Sequence, residues 1–172
     1  MPKSLEGTQV RNESGEILAT LMMAFPEIGR AVFNPERRTL SVAFICQGPL
    51  TRGATTWLEK TWDDAVVVYA RLTGVEPVIA RRTWDKVGKH RAFEVERDVD
   101  TLMPGEISMW AELVKEVTPV LSTASQEGSS EEDPGWAQKM LMQDALEGLR
   151  SLRVKKKIVA VREGEKVLVY HG

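Results

Sequence analysis

The stretch Ile28–Gln47, IGRAVFNPERRTLSVAFICQ, decides the fold. Its second half alternates Leu40, Val42, Phe44 and Cys46 with Ser41, Ala43 and Ile45, the two-residue period of a β-strand. So little of that run is polar that a strand over Thr39–Gln47 is expected to be buried on both faces, or nearly so. Ile28–Asn34 is strand-like too. Between them lies Asn34-Pro35-Glu36-Arg37-Arg38, which carries the Asn and Pro of a hairpin turn.

The segments on either side of this hairpin read as helices. Upstream, Ser14 is a plausible N-cap, and GEILATLMMAF follows it with Ile17, Leu21 and Ala24 at helical spacing, widened by Leu18, Met22 and Phe25. Pro26 stops the run. Downstream, after Gly48–Thr55, the order Thr56-Trp57-Leu58-Glu59 fits a capping box, and Leu58, Trp62, Ala65, Tyr69 and Leu72 form an apolar stripe that ends at Gly74. Strands are expected over Pro77–Trp84 and Arg91–Val99, joined by Asp85–His90. A third helix starts at Pro104, with Ile107, Trp110, Val114, Val117 and Leu121 on one side and Pro119 ending or bending it.

Ser122–Gly135, STASQEGSSEEDPG, is polar, acidic and without large apolar groups, the composition of a mobile linker. Asp133-Pro134 then has the chemistry of a helix start, and Leu141, Ala145, Leu149 and Leu152 line one side, with Met140, Met142 and Leu146 beside them. The chain closes with Lys156–Arg162, a tight Glu163-Gly164-Glu165 turn and Lys166–His171.

Helix, strand, turn, strand thus recurs over residues 14–47, 56–99 and 136–171, with the 104–121 helix inserted before the last unit. Only the pattern repeats; the residues do not. Isolated hairpins are marginal in water, so these should pool into one antiparallel or mixed sheet with the helices on one face. The expected class is α+β, a two-layer sandwich of three helix–hairpin units. Residues 1–121 form the main domain, 122–135 the linker, and 136–172 a C-terminal unit packed on that domain or on a partner chain.

The length of 172 residues, 42% of them hydrophobic, suffices for a real core without disulfides or metals. Lys+Arg 23 against Asp+Glu 25 leaves a formal net charge of -2, which disfavours a dedicated nucleic-acid binder while leaving room for a local basic patch. Cys46 is the only cysteine, and His90 and His171 are the only histidines, so no metal site and no cofactor is expected. The N-terminus lacks the apolar stretch of a signal peptide, and no apolar run approaches a membrane span. A cytoplasmic protein is the expectation.

The sequence contains no G-x-S-x-G, G-x-x-x-x-G-K-[ST], H-E-x-x-H or G-x-G-x-x-G, the arrangements that would fix a nucleophile, a phosphate cradle or a metal. No catalytic residue is assigned. The carboxylate pairs Glu59/Asp63 and Glu112/Glu116 alternate with lysines opposite the apolar stripes and read as solvated helix surface. Cys46, ending a Val- and Phe-rich strand, reads as a small buried residue.

Three groups of residues are candidates for binding. The loop 48–56 leads into a helix N-terminus, where free N–H groups and the helix dipole favour an anion, and Arg52, Thr55 and Thr56 could add donors. The second hairpin interleaves Arg81, Arg82, Lys86, Lys89 and Arg91 with Trp84, a mixture able to grip phosphate and stack on a base. Trp57 and Trp136 lie off the core stripes near element ends, where aromatics are enriched in interfaces. Each has a plainer reading: an ordinary connection, a solvated hairpin and rim packing. The favoured function is a non-enzymatic binding, scaffold or regulatory protein that self-associates or takes a protein partner, because open sheet edges invite pairing. An anion or nucleotide sensor or enzyme at the 48–56 loop is the alternative. Nucleic-acid binding through the 81–91 hairpin comes third, and no membrane association is expected.

Overall fold

The computed structural model describes the backbone of residues 5–117 and 134–171, and their side chains except at 5–14, 134–136 and 138. The elements run α1 (Leu5–Ala24), β1 (Ile28–Asn34), β2 (Thr39–Cys46), α2 (Arg52–Thr73), β3 (Ala80–Val87), β4 (His90–Asp98), α3 (Pro104–Val117), α4 (Pro134–Ser151), β5 (Ile158–Glu163) and β6 (Lys166–His171). The class is α+β. The strands form one open antiparallel sheet in the order β3-β4-β2-β1-β5-β6, so β3 and β6 are its edges.

One face of this sheet carries the core. Ala31 and Phe33 of β1, Leu40, Val42, Phe44 and Cys46 of β2, Phe93 and Val95 of β4, and Ile158 and Ala160 of β5 are all buried there. The helices bring Leu18, Leu21 and Met22, Leu58 and Trp62, Ile107, Trp110 and Val114, and Met142, Leu146 and Leu149 against them. Burying a side chain of the size of Phe44 contributes roughly 1.5–3 kcal/mol. Trp62 and Trp110, expected on core stripes, meet with ring centroids 6.4 Å apart. The C-terminal hairpin joins the same sheet through β5 against β1, and α4 packs on α1. Arg150 of α4 donates to the carbonyls of Val99 (2.8 Å) and Leu102 (2.7 Å) between β4 and α3.

Local chemistry explains the element ends, and several differ from the sequence expectation. The first helix begins at Leu5, with Ser14 inside it rather than capping it. Its C-terminal carbonyls are taken up by Arg162 of β5, which donates to Met22 (2.5 Å), Phe25 (3.3 Å) and the carbonyl of Ile28 (3.0 Å). The second helix starts at Arg52, and its N-cap is Thr51, whose hydroxyl accepts from Ala54 N–H at 3.0 Å, not Thr56. Thr56 therefore lies inside the helix rather than at its start, and the Glu59 carboxylate accepts the indole N–H of Trp84 at 2.8 Å. Gly74 ends the helix in the left-handed conformation, as expected. Leu72, expected on the buried stripe, is 78% exposed.

The strand expected from Pro77 begins at Ala80, because the N–H groups of Val78 and Ile79 both donate to the Asp98 carboxylate at 3.0 Å. It then continues to Val87, leaving Gly88-Lys89 as a two-residue turn with Gly88 at φ 61. In α4 the buried side is Met142, Ala145, Leu146 and Leu149, whereas Leu141 is exposed; the stripe is rotated from the expected one. Pro119, Leu121 and most of the expected linker, residues 122–133, lie outside the described residues.

Candidate functional site

The opposite face of the sheet has no helix on it among the described residues, and the register determines which side chains point there. Across the strands, Thr83 of β3, Glu94 of β4, Ala43 of β2, Arg30 of β1 and Val161 of β5 form one row. The adjacent row is Arg81, Glu96, Ser41, Val32 and Val159. A register shift between Ile28 and Arg30 sets Gly29 and Arg30 together against β2. At Gly29 a Cβ would lie 2.6 Å from Cγ1 of Ile45, so only glycine lets Ile45 lie flat over β1.

Small residues hollow this face. Gly29, Ala43 and Ala92, with Ile45, Val87 and Val161 around them, line a depression of about 720 Å³ bordered by Asp85 and Lys86. A more polar hollow of about 380 Å³ adjoins it, lined by Ser41, Thr83, Glu94, Glu96, Arg81 and Lys157 among others. Arg30 belongs to both. Its guanidinium crosses over Ala43 to meet the Glu94 carboxylate at 3.1 Å, two strands away. A larger side chain at position 43 would stand in that path.

Glu96 gathers the second charge cluster. It accepts the Thr39 hydroxyl at 2.8 Å and lies 3.4 Å from Arg37 and 3.8 Å from Arg81. Half-buried ion pairs of this kind contribute little to stability but hold side chains in fixed positions. The face therefore offers an apolar hollow beside ordered charges of both signs, which suits recognition of a segment with an apolar anchor next to a charged group.

The residues singled out from sequence fall elsewhere. Arg52, Thr55 and Thr56 occupy the first turns of α2; the Thr55 hydroxyl donates to the Arg52 carbonyl at 3.0 Å, and Arg52 and Thr56 are exposed. Gly48 N–H reaches Nδ1 of His90 at 3.4 Å, tying the loop to the second hairpin. That hairpin's cations divide between the two faces of β3. Arg81 lies on the helix-free face, whereas Arg82 turns to α2 and donates twice to Asp63, each bond 2.8 Å. The Arg82 partner holds the Asp63 carboxyl below the usual carboxylate range. Trp84 is covered as well: Arg91 stacks 4.6 Å from its ring centroid and Phe93 packs at 4.9 Å. Lys86 and Lys89 are exposed. Trp57 is 43% exposed on α2, and Trp136 lies in the first turn of α4, its side chain outside the described residues.

No family model, curated protein or solved structure matches this chain. Among the described residues, no group of His, Cys, Asp and Glu has the arrangement of a metal site, and no helix is long and apolar enough to cross a membrane.

Sequence reading did not single out Arg30, Ala43, Ala92, Glu94 or Glu96 as binding residues. The alternation of β2 did separate Ser41, Ala43 and Ile45 as a second face. Nothing in the order of residues showed that Arg30 and Glu94, 64 positions apart, would meet across it.

Proposed function

We propose that this chain is a non-catalytic binding protein, a scaffold or regulator, whose working surface is the helix-free face of its sheet. The carrying observation is the hollow over Gly29, Ala43 and Ala92, flanked by the Arg30–Glu94 pair. Its partner is a protein segment that places an apolar side chain over the small residues and a charged group beside the pair. The same reading makes the protein self-associating and cytoplasmic, consistent with its lone cysteine and balanced charge. It also takes the architecture as a two-layer sandwich of three helix–hairpin units, supported by the helix–hairpin order of the elements and the one-sided core. The engagement of Arg82 with Asp63 and of Trp84 with Glu59 and Arg91 favours this reading over nucleic-acid binding.

The test is selection of peptides from a random library against the full chain, followed by titration into the double variant Arg30→Glu/Glu94→Arg. That exchange retains an ion pair over Ala43 and inverts the polarity of the groove. Selected peptides should bind the variant at least about tenfold more weakly, the effect of ~1.4 kcal/mol. Peptides that bind both proteins equally would overturn the assignment of this face.

A further inference from the structure

The two edges of the sheet differ in chemistry. The β3 edge carries Arg81, Arg82, Asp85 and Lys86, charged side chains of the kind that guard an open edge. The β6 edge reads Lys166-Val167-Leu168-Val169-Tyr170-His171, apolar between its ends, with Tyr170 52% exposed. Natural sheets guard open edges with charge, proline or bulges. Between Lys166 and His171 β6 has none of these.

Its backbone can be assigned from the turn. Glu163 pairs with Lys166 around the two-residue turn Gly164-Glu165, where Gly164 has φ 62. The pair that closes such a turn exchanges both hydrogen bonds, and the alternation along the ladder follows from it. Lys166, Leu168 and Tyr170 therefore direct their N–H and C=O groups to β5, and Val167, Val169 and His171 direct theirs outward. The side chains alternate too. Val167 and Val169 pack against the core, Val169 beside Gly15 of α1, while Leu168 and Tyr170 lie opposite Val161 and Val159 on the helix-free face.

We propose that β6 pairs antiparallel with β6 of a second copy, joining two sheets edge to edge with Leu168 on the two-fold axis. A two-fold perpendicular to the sheet keeps each face on its own side, so residues that oppose one another must share a face. With Leu168 opposite its counterpart, Val167 faces Val169 and the two exchange the outward hydrogen bonds. Lys166 comes opposite Tyr170, a cation beside an aromatic ring, and Glu165 opposite His171, carboxylate against imidazole. Moving the axis to Val169 would remove the Glu165–His171 match and set Val167 against His171. The strand that makes the seam has six residues. A strand of about 20 Å makes a small interface, so the dimer is weak and concentration-dependent.

This inference rests on the self-association part of the proposed function and not on the groove. The first measurement is light scattering coupled to size exclusion over a wide range of protein concentration, on the full chain. The mass should rise from that of one chain toward two. Val169→Pro removes an outward N–H and no bond to β5, and should stay monomeric with an unchanged far-UV spectrum. Leu168→Cys, on the axis at a non-hydrogen-bonded pair with Cα atoms about 4.5 Å apart, should form a disulfide-linked dimer under mild oxidation, whereas Val169→Cys should not. The Arg30→Glu/Glu94→Arg variant should dimerise like wild type, so failure of the groove leaves this seam standing. A monomer at every concentration with no Leu168→Cys cross-link would overturn the seam, as would a dimer that survives Val169→Pro.

Discussion

Replacing Glu106 with Leu should cost about 3 kcal/mol, because it strands a buried guanidinium. The Arg97 and Glu106 side chains are 3% and 2% exposed and are in direct contact. Glu106 also accepts the Met103 N–H at 3.0 Å, closing the start of α3. Arg97 donates to the Thr101 hydroxyl at 2.7 Å, and Thr101 donates to Asp98 at 2.7 Å. Asp98 in turn holds Val78 and Ile79 at the start of the edge strand β3. Removing one partner of a buried pair typically costs ~3–5 kcal/mol. Asp98 remains 3.7 Å from Nε of Arg97, which places the loss at the lower end. In a chain of this size that is a fall in Tm of roughly 6–12 °C. Urea unfolding followed by far-UV circular dichroism and tryptophan fluorescence measures it, provided the m-value is unchanged.

The double variant Arg97→Met/Glu106→Leu should recover most of that loss, since apolar groups of similar volume can replace a buried pair at little cost. A loss under about 1 kcal/mol in Glu106→Leu, or strictly additive losses in the double variant, would refute the buried-pair assignment. The pH dependence supplies an independent sign. Burial holds the Glu106 carboxyl above its ordinary 4.5, against the opposing pull of Arg97 and the Met103 N–H. A raised folded value means that its contribution is complete below the unfolded value and is lost as pH rises through the folded one. Stability relative to Glu106→Gln should therefore decline with rising pH above about 4.5. An increase over that window would show that Arg97 outweighs burial.

Three other outcomes follow from the packing. Burial pushes the Cys46 thiol up to about 11, so an aromatic disulfide reagent at pH 8 should leave the native protein untouched and titrate one thiol in urea; rapid native reaction would place Cys46 at the surface. Arg162→Met keeps the aliphatic stem but removes the bonds to Met22, Phe25 and Ile28, and should cost about 2–3 kcal/mol in chemical denaturation; a loss within error of zero would mean that water serves those carbonyls equally well. Gly29→Ala should cost about 1–3 kcal/mol through its clash with Ile45, and less in the Ile45→Ala background, where a double-mutant cycle showing no coupling would contradict the close approach.

Much of the fold was legible because it is local. The run of β1, the turn chemistry at Glu163–Lys166, Pro104 in the first turn of α3 and Gly74 after α2 are each settled by a few neighbouring residues. Legibility ended where a distant residue decided. Thr56 and Glu59 satisfy the spacing of a capping box, but the helix already starts at Arg52 under the Thr51 cap, and the Glu59 carboxylate reaches across to Trp84 of β3 instead. Asp98, in the following strand, takes the Val78 and Ile79 N–H groups, and β3 starts at Ala80 rather than at Pro77. The candidate site is the extreme case. Its hollow exists because Gly29, Ala43 and Ala92 come from three strands, and only the strand order brings them together.

The most direct test of the helix-free face as the working surface is amide shift mapping by NMR, with the selected peptide titrated into isotope-labelled full chain. The expected result is a contiguous set of perturbations at Gly29, Arg30, Ala43, Ala92 and Glu94, with the first turns of α2 unmoved. Perturbations centred on residues 48–56 or on Lys86 and Lys89, with Arg30 and Ala43 silent, would contradict it.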